Sequence, residues 1–153
     1  MIRILFVCHG NICRSPMAEF VMRDLVAKRG LAGRFEIASA AVSGEETGNP
    51  VYPPARAALA SIGISCPSRR ARRITADDYS CWDYIIAMDR SNLRWLERIL
   101  PSMDKTRLLL SYAGQDRDVA DPWYTDDFDT CLEDIVLGCR ALLDHIIREE
   151  GND

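Results

Sequence analysis

The chain has 153 residues and a formal net charge of −4, with 48% hydrophobic and 27% charged residues. These values are typical of one soluble globular domain, which we expect to span residues 1–153, because the chain is too short for two ordinary domains. They exclude a membrane-spanning chain, since no apolar run approaches the length that a bilayer requires. No membrane partner is therefore predicted.

Six cysteines and two histidines, His9 and His145, occur at irregular spacings. Met1 to Arg3 lead straight into an apolar run, without the features of a signal peptide. We therefore expect a cytoplasmic protein with reduced thiols rather than a disulfide scaffold. The ligand spacing of a structural zinc site is missing, and the arginine cluster at 69–73 has no interleaved aromatic residues. We expect no metal, no other cofactor and no nucleic-acid partner.

The predicted elements alternate between strands and helices along the chain. Short apolar runs predict strands at 2–7, 35–38, 83–88 and 107–110, and helical signals predict helices at 15–29, 55–62, from Thr75, at 91–100 and from Phe128. Ser91 is the predicted cap of the fourth helix, and a capping box from Thr75 to Asp78 opens the third. Residues 43–54 and 112–125 are long loops, and loops of that length are often functional.

The last helix is predicted to be about five turns long and to pack its apolar face into the core rather than against a partner. That face is made of Phe128, Leu132, Ile135, Val136, Cys139, Leu142, Leu143, Ile146 and Ile147. Alternating strands and helices predict an α/β domain with a parallel sheet, whose ligand site lies beyond the carboxyl ends of the strands. The loops at 8–14 and 116–125 follow strands and belong at that edge.

The loop between the first strand and the first helix predicts an anion site. Its sequence, with the start of the helix, is CHGNICRSP at residues 8–16. A loop that opens a helix presents backbone N–H groups and the positive end of the helix dipole, and Gly10 and Asn11 tolerate the left-handed backbone that a tight curl requires. Arg14 offers a planar fork for two phosphate oxygens, and Ser15 can donate its hydroxyl to a Cys8 thiolate.

These features predict a phosphate or sulfate anion held over a cysteine nucleophile. The residues expected to bind the anion are His9, Gly10, Asn11, Ile12, Cys13, Arg14 and Ser15. A cysteine six positions before an arginine is a weak signal by itself, because Cys66 and Arg72 repeat it. We reject that second pair, since it follows a helix, Pro67 removes a backbone N–H, and no serine follows the arginine.

The segment at 8–16 resembles the signature of the low-molecular-weight protein tyrosine phosphatases. Further segments resemble the family in the family's order, over nearly the whole chain: SAA at 39–41, GNP at 48–50, ARRIT at 71–75, DYIIAMDRSNL at 83–93 and DPWY at 121–124. The resemblance implies a three-layer, flavodoxin-like phosphatase fold with a four-stranded parallel sheet and helices on both faces. It also implies metal-independent hydrolysis of phosphotyrosine in proteins through a phosphocysteine on Cys8.

A departing phenol needs a proton, so a general acid must face the nucleophile. Asp121 is the candidate, because it lies in the second long loop before Pro122, and the resemblance implies the same residue. Asp116 and Asp118 are the alternatives, but they lack the Asp-Pro-aromatic context.

The resemblance also implies supporting residues around the loop. Asn11, Ser15 and Ser39 match positions that brace it, while Arg69 stands where the family usually has a histidine. Cys13 matches the second loop cysteine, with two interpretations: it captures an oxidised Cys8 as a disulfide, which would make the enzyme redox-sensitive, or it is a small buried residue.

We expect the substrate pocket to be formed by Ile12, Glu45, Trp123 and Tyr124, with aromatic walls that suit a phenyl phosphate. Glu45 replaces an aromatic residue that the family often has, and we expect it to disfavour peptides with acidic flanks. His9 either affects Cys8 or points outward, and the outward orientation is the prediction.

Three other functions fit parts of the pattern. An arsenate reductase of the same fold would need a cysteine relay, and Cys66 and Cys81 lie too far apart in sequence to resemble one. A protein arginine phosphatase has threonine where Ile12 stands. A non-catalytic phosphotyrosine-binding module would have no use for Asp121.

Overall fold

In the computed structural model, which describes residues 1–151, four strands form one parallel sheet. The strands are β1 (Ile2–Cys8), β2 (Phe35–Ala41), β3 (Tyr84–Ala87) and β4 (Thr106–Leu108). Their order in the sheet is β2-β1-β3-β4, and every pair is parallel. The α/β architecture expected from the sequence is therefore confirmed.

Within residues 1–151, six α-helices connect or flank these strands. They are α1 (Arg14–Lys28), α2 (Pro53–Ser61), α3 (Asp78–Cys81), α4 (Arg90–Ile99), α5 (Pro122–Thr125) and α6 (Phe128–Gly151), and two short 3-10 helices cover Ala32–Arg34 and Leu109–Ala113. No helix among the described residues is long and apolar enough to cross a membrane.

The sheet separates two hydrophobic clusters. Ile4 and Phe6 of β1 pack with α1 and α6 on one face, whereas Leu5 and Val7 pack with α4 on the other. Successive side chains of a strand point to opposite faces, so Cys8 lies on the same face as Phe6, beside α1. The alternation of side chains along β1 thus sets the direction of the Cys8 side chain, independently of contacts with the loop.

Two helix starts differ from the predictions. Asp89, not Ser91, caps α4: its carboxylate accepts from the Asn92 backbone N–H, and the Asn92 side chain accepts in return. The capping box at Thr75 forms only in part, because the Asp78 carboxylate accepts from the Thr75 N–H at 2.8 Å while α3 itself starts at Asp78.

Two further differences concern the end of the sheet and the last helix. The fourth strand ends at Leu108, and Leu109 and Leu110 belong to a 3-10 helix that turns the chain toward α6. Helix α6 has 24 residues rather than about five turns. Its predicted apolar face is buried or half-buried except at Ile147, which is 37% exposed on the last turns.

Candidate active site

Cys8 is the last residue of β1, and its thiol faces the first turn of α1. The Ser15 backbone N–H donates to Cys8 Sγ at 3.4 Å, and the Ser15 Oγ lies 3.0 Å from the same sulfur. Ser15 is the second residue of α1. The Cys8 sulfur therefore lies at the N-terminus of a 15-residue helix, and the positive end of a helix dipole favours a negative charge.

The curl of the loop depends on Asn11 and Gly10 in different ways. Asn11 has a φ of +61° and is fully buried, so an asparagine supplies the left-handed residue. Gly10 does not adopt a positive φ, contrary to what its conformational freedom suggested. A Cβ at Gly10 would lie 3.2 Å from Glu46 Cγ, so a larger residue here would require the Glu46 side chain to shift by a few tenths of an ångström.

The Arg14 guanidinium is buried and anchored by three groups from the facing edge of the sheet. Its Nη1 donates to Asp89 Oδ2 at 2.7 Å and to the Val119 carbonyl at 2.9 Å, and its Nη2 donates to Asp121 Oδ2 at 3.3 Å. Burial opposes the charge, but the negative groups of Cys8, Asp121 and Asp89 outweigh it and raise the pKa of Arg14 above its ordinary value.

Of the three candidate acids, only Asp121 faces the loop. It caps α5, with Oδ1 accepting from the Trp123 N–H at 3.0 Å and Oδ2 directed at Arg14. Asp116 and Asp118 instead pair with Arg90 on the surface. The structure thus brings Asp121 together with Cys8 and Arg14 in one cleft.

The predicted brace behind the loop is present, and Arg69 is part of it. Arg69 donates to the Asn11 carbonyl at 2.7 Å, to the Asn11 side-chain oxygen, and to Ser39 Oγ at 3.2 Å. Ser39 in turn donates to Glu19 at 2.5 Å. Glu19, a buried acid within α1, is a member of the brace that the sequence did not suggest.

The cleft is lined by the predicted pocket residues together with Glu46. The full set is Cys8, His9, Gly10, Ile12, Cys13, Arg14, Glu45, Glu46, Asp121, Trp123 and Tyr124. Trp123 and Tyr124 are 53% and 85% exposed, so the aromatic wall is open to solvent. Tyr52 supports this wall from behind, with its ring 5.1 Å from that of Trp123 and its N–H donating to the Ile12 carbonyl at 2.9 Å.

The His9 side chain is partly exposed, in agreement with the predicted outward orientation, and lies at the rim of the cleft. Its Nε2 lies 3.4 Å from Glu45 Oε2, and its ring makes an edge contact with Trp95 at 5.8 Å. The side chain is 39% exposed, so it lies at the mouth of the cleft.

Sequence reasoning missed Asp89, Glu19, Glu46 and Tyr52. Asp89 had a usable signal, because it directly follows a strand at the edge where the loop lies. Glu46 neighbours the predicted Glu45. Glu19 and Tyr52 had no signal in the sequence, because their roles depend on how α1 and the first long loop pack against distant segments.

All six cysteines are free thiols, and they differ in their surroundings. Burial, followed by the negative charges of Cys8 and Asp121, raises the pKa of Cys13 well above its usual range. Burial also raises the pKa of Cys131, in the first turn of α6, to about 12. Cys81 is exposed, and Cys66 lies outside the cleft.

A cysteine ends a central parallel strand and faces a helix N-terminus, a buried arginine and an aspartate. This arrangement is typical of cysteine-dependent enzymes that transfer phosphoryl groups. Comparison with known proteins agrees with this class. The family model described as low molecular weight phosphotyrosine protein phosphatase matches residues 3–152. The chain belongs to that family.

Individual relatives match over nearly their full length. The low molecular weight protein-tyrosine-phosphatase YfkJ of Bacillus subtilis is 41% identical, with 98% of this chain and 99% of the relative covered. The human low molecular weight phosphotyrosine protein phosphatase is 42% identical, with 92% and 93% covered.

Solved structures agree with the same fold. The crystal structure of YfkJ has a TM-score of 0.94 at 42% identity, covering 97% of this chain and 96% of that one. A Drosophila protein described as an arginine phosphatase has a TM-score of 0.87 at 34% identity, with 95% and 98% covered. The four-stranded parallel fold implied by the sequence resemblance is thereby confirmed.

Proposed function

We propose that this protein hydrolyses phosphotyrosine in proteins, with Cys8 as the nucleophile, Arg14 as the phosphate clamp and Asp121 as the general acid and base. The observation that carries the proposal is the convergence of these three side chains in one cleft, with Ser15 donating to the sulfur and Arg14 fixed between Asp89 and Asp121. Family membership supports the same activity.

In the first step, Cys8 Sγ attacks phosphorus in line with the bond to the phenol oxygen. An S–P bond forms, the P–O bond breaks, and the phenol oxygen takes the proton of Asp121. The loop from His9 to Cys13 and the start of α1 surround the equatorial oxygens, and Arg14 supplies two donors in a fork. The same groups would hold inorganic phosphate or sulfate.

In the second step, the ionised Asp121 accepts a proton from water as the water oxygen attacks phosphorus. The S–P bond breaks, inorganic phosphate forms, and Cys8 returns as a thiolate. The developing charge on phosphate is met by Arg14 and by the positive end of α1, so the chain's own donors supply the electrostatic stabilisation that the reaction needs.

We extend the proposal to the flanks of the substrate. Glu45 and Glu46 form one wall of the cleft, and Glu46 lies directly over Gly10. Two carboxylates on this wall disfavour acidic residues beside the phosphotyrosine and favour basic ones.

The flank preference has a direct test. Glu45→Gln should reduce the ratio of kcat/KM between basic-flanked and acidic-flanked phosphotyrosine peptides by about 3-fold to 10-fold, because one rim charge contributes on the order of 1 kcal/mol. Glu97→Gln, an exposed carboxylate on α4, is the matched control and should leave the ratio unchanged. Equal turnover of both peptides by the unaltered protein would contradict the extension.

We also propose a cytoplasmic, redox-sensitive enzyme. Six free thiols suit a reducing compartment.

If peroxide oxidises Cys8 to a sulfenic acid, the Cys13 sulfur can displace its oxygen as water and form an S–S bond. Burial keeps Cys13 protonated, so it does not compete with Cys8 as a nucleophile beforehand. Cys13→Ser should convert reversible inactivation by peroxide into irreversible inactivation; recovery by thiol in this variant would contradict the role.

A metal-free substrate panel tests the activity itself. Phosphotyrosine, phosphoserine and phosphoarginine peptides are compared with arsenate in the presence of a thiol reductant. We expect phosphotyrosine to be preferred, because Ile12 and Trp123 offer apolar surface to a phenyl ring. Preference for phosphoarginine would transfer the assignment to an arginine phosphatase, and activity on arsenate alone would transfer it to a reductase. Phosphotyrosine binding without turnover would indicate a recognition module.

A further inference from the structure

The arginine cluster at 69–73 runs alongside the loop at 43–54, which carries the two carboxylates of the cleft wall. The Gly48 N–H donates to the Ala71 carbonyl at 2.9 Å, and the Ala71 N–H donates to the Asn49 carbonyl at 2.8 Å. These two backbone hydrogen bonds hold the cluster beside the acidic wall. A substrate chain that crosses this wall on its way out of the cleft therefore meets the arginine cluster next.

The sheet register fixes how far the cluster lies from the nucleophile. Arg73 forms a parallel bridge with Ala41, the last residue of β2, and Ala41 is in register with Cys8. The Ile74 N–H donates to the Ala41 carbonyl, and the Ala41 N–H donates to the Arg72 carbonyl, both at 2.8 Å. Neighbouring strands are about 4.8 Å apart, so the Arg73 backbone lies about 10 Å from that of Cys8, along the same edge of the sheet.

The four arginines of the cluster differ in what they contact. Arg69 is bound to the brace behind the phosphate loop, and Arg72 forms an ion pair with a carboxylate of α3 at 3.0 Å. Arg70 and Arg73 are exposed, and in the described part of the chain neither forms an ion pair. Arg70 gives one donor to the Gly48 carbonyl at 2.9 Å. Two cations beside the cleft thus have no counter-charge from their own chain.

The Arg73 side chain lies against the start of the acidic wall. A Cβ at Gly44 would be 3.8 Å from Arg73 Cδ, which is an ordinary van der Waals contact. Glu45 follows Gly44 directly, and its carboxylate is paired with His9 Nε2 at 3.4 Å. The charges around the cleft therefore have an order: carboxylates form the wall, and the guanidinium of Arg73 lies just beyond them.

We propose that Arg73, with Arg70 beside it, binds an acidic side chain of the phosphoprotein substrate about three residues away from the phosphotyrosine. An extended peptide advances about 3.3 Å per residue, so an offset of about 10 Å corresponds to about three residues. A guanidinium offers a planar fork of donors that matches a carboxylate. This inference rests on the proposed function of the cleft. It narrows the substrate class to segments with basic residues next to the phosphotyrosine and an acidic residue farther out.

The test measures binding and needs no turnover. Peptides carry a non-hydrolysable phosphonate analogue of phosphotyrosine, and a single glutamate is moved outward from it, one position at a time on either side, while Kd is measured by fluorescence anisotropy at low salt. A glutamate next to the analogue should weaken binding, and one about three positions away should strengthen it about 2-fold to 5-fold. Arg73→Gln should abolish the distant gain and leave the adjacent penalty unchanged. Arg34→Gln, an exposed arginine beside the start of β2, is the matched control and should change neither.

The dependence on position decides the outcome. A gain of the same size at every position, no gain at any position, or a gain that survives in Arg73→Gln would overturn the proposal, because a general attraction between charges has no register. Arg73→Glu is the second variant and should turn the distant gain into a loss. With hydrolysable versions of the same peptides, the distant glutamate should lower KM and leave kcat unchanged. Position-dependent binding without turnover would refute the phosphatase activity alone, whereas turnover without position dependence would refute this inference alone.

Discussion

The chain contains two segments in which an arginine follows a cysteine by six positions, 8–14 and 66–72, and the structure uses them in opposite ways. Cys8 ends a buried strand and Arg14 opens a helix, so both side chains converge and are almost fully buried. Cys66 and Arg72 lie on an extended segment, where Arg72 forms a half-exposed ion pair with Asp78 at 3.0 Å.

The difference lies in what flanks each segment. A strand before and a helix after provide a fixed direction for the sulfur and a helix dipole to meet an anion. The second segment has neither, yet it contributes Arg69 to the back of the first. One copy of the spacing forms the site and the other helps to hold it in place.

The largest expected effect is the difference in activity between substitutions at Cys8 and at Cys66. Cys8→Ser should reduce kcat on phosphotyrosine by at least about 10³-fold, because an alcohol at this position is a far weaker nucleophile than a thiolate. Cys66→Ser is the control and should retain activity within about 2-fold, since its side chain lies outside the cleft. Steady-state kinetics on the two purified variants measures both, and substantial activity without the Cys8 thiol would contradict the mechanism.

Substitutions of Arg14 and Arg72 should differ nearly as much in their effect on kcat/KM. Arg14→Lys should lower kcat/KM by about 10²-fold to 10³-fold, because lysine cannot give a forked pair of donors to the phosphate while still contacting Asp89. Arg72→Lys keeps a surface ion pair and should change kcat/KM by less than about 2-fold. Comparable losses in both would mean that the spacing, and not the flanking elements, determines function.

The proposed general acid, Asp121, contacts Arg14 of the first segment. Asp121→Asn should lower kcat on phosphotyrosine by about 10²-fold, and much less on p-nitrophenyl phosphate, whose leaving group needs little protonation. Asp118→Asn, which removes a carboxylate paired with Arg90, is the matched control. An equal loss on both substrates would show that Asp121 serves some purpose other than proton transfer.

The smallest effect concerns the stability of the second segment. Burial of Asp78 is outweighed by its bonds to Arg72, Thr75 and Trp82, which hold the pKa of this carboxyl below its ordinary value. A carboxyl whose pKa is lower in the folded state than in the unfolded state stabilises the fold when the pH is above the unfolded-state pKa. This stabilisation is lost as the pH falls through the folded-state pKa.

Asp78→Asn should therefore lower Tm at neutral pH and leave it little changed in acid, below the folded-state pKa of this carboxyl. Thermal unfolding followed by circular dichroism at several pH values measures the difference. A constant loss of Tm at all pH values would mean that the carboxylate charge contributes nothing. Asp77→Asn, the preceding exposed carboxylate, serves as the control.

The sequence predicted those parts of the molecule that depend on local pattern. The apolar run of β1, the loop and the start of α1 are contiguous, so Cys8, Arg14 and the order of strand and helix could be inferred from one stretch of the chain. Asp121 was accessible because proline and an aromatic residue mark its surroundings.

The parts that the sequence missed depend on tertiary contacts. Asp89 and Ser91 are both good helix caps, and the choice between them depends on Asn92, whose side chain completes a box only with Asp89. Leu109 and Leu110 have the residue pattern of a strand, but packing against α6 turns them into a 3-10 helix; a Cβ at Gly138 would come within 2.5 Å of Leu109. Glu19 lies in a helical pattern that gives no hint of Ser39, 20 residues away.

Asp89 divides its two carboxylate oxygens between tasks. Oδ1 accepts from the Asn92 N–H at 2.7 Å and caps α4, while Oδ2 accepts from Arg14 at 2.7 Å. Glutamate is too long for the cap, and asparagine would turn an amide donor toward either Asn92 or Arg14. A substitution at this position therefore disturbs two features at once, the start of α4 and one of the three contacts that anchor Arg14.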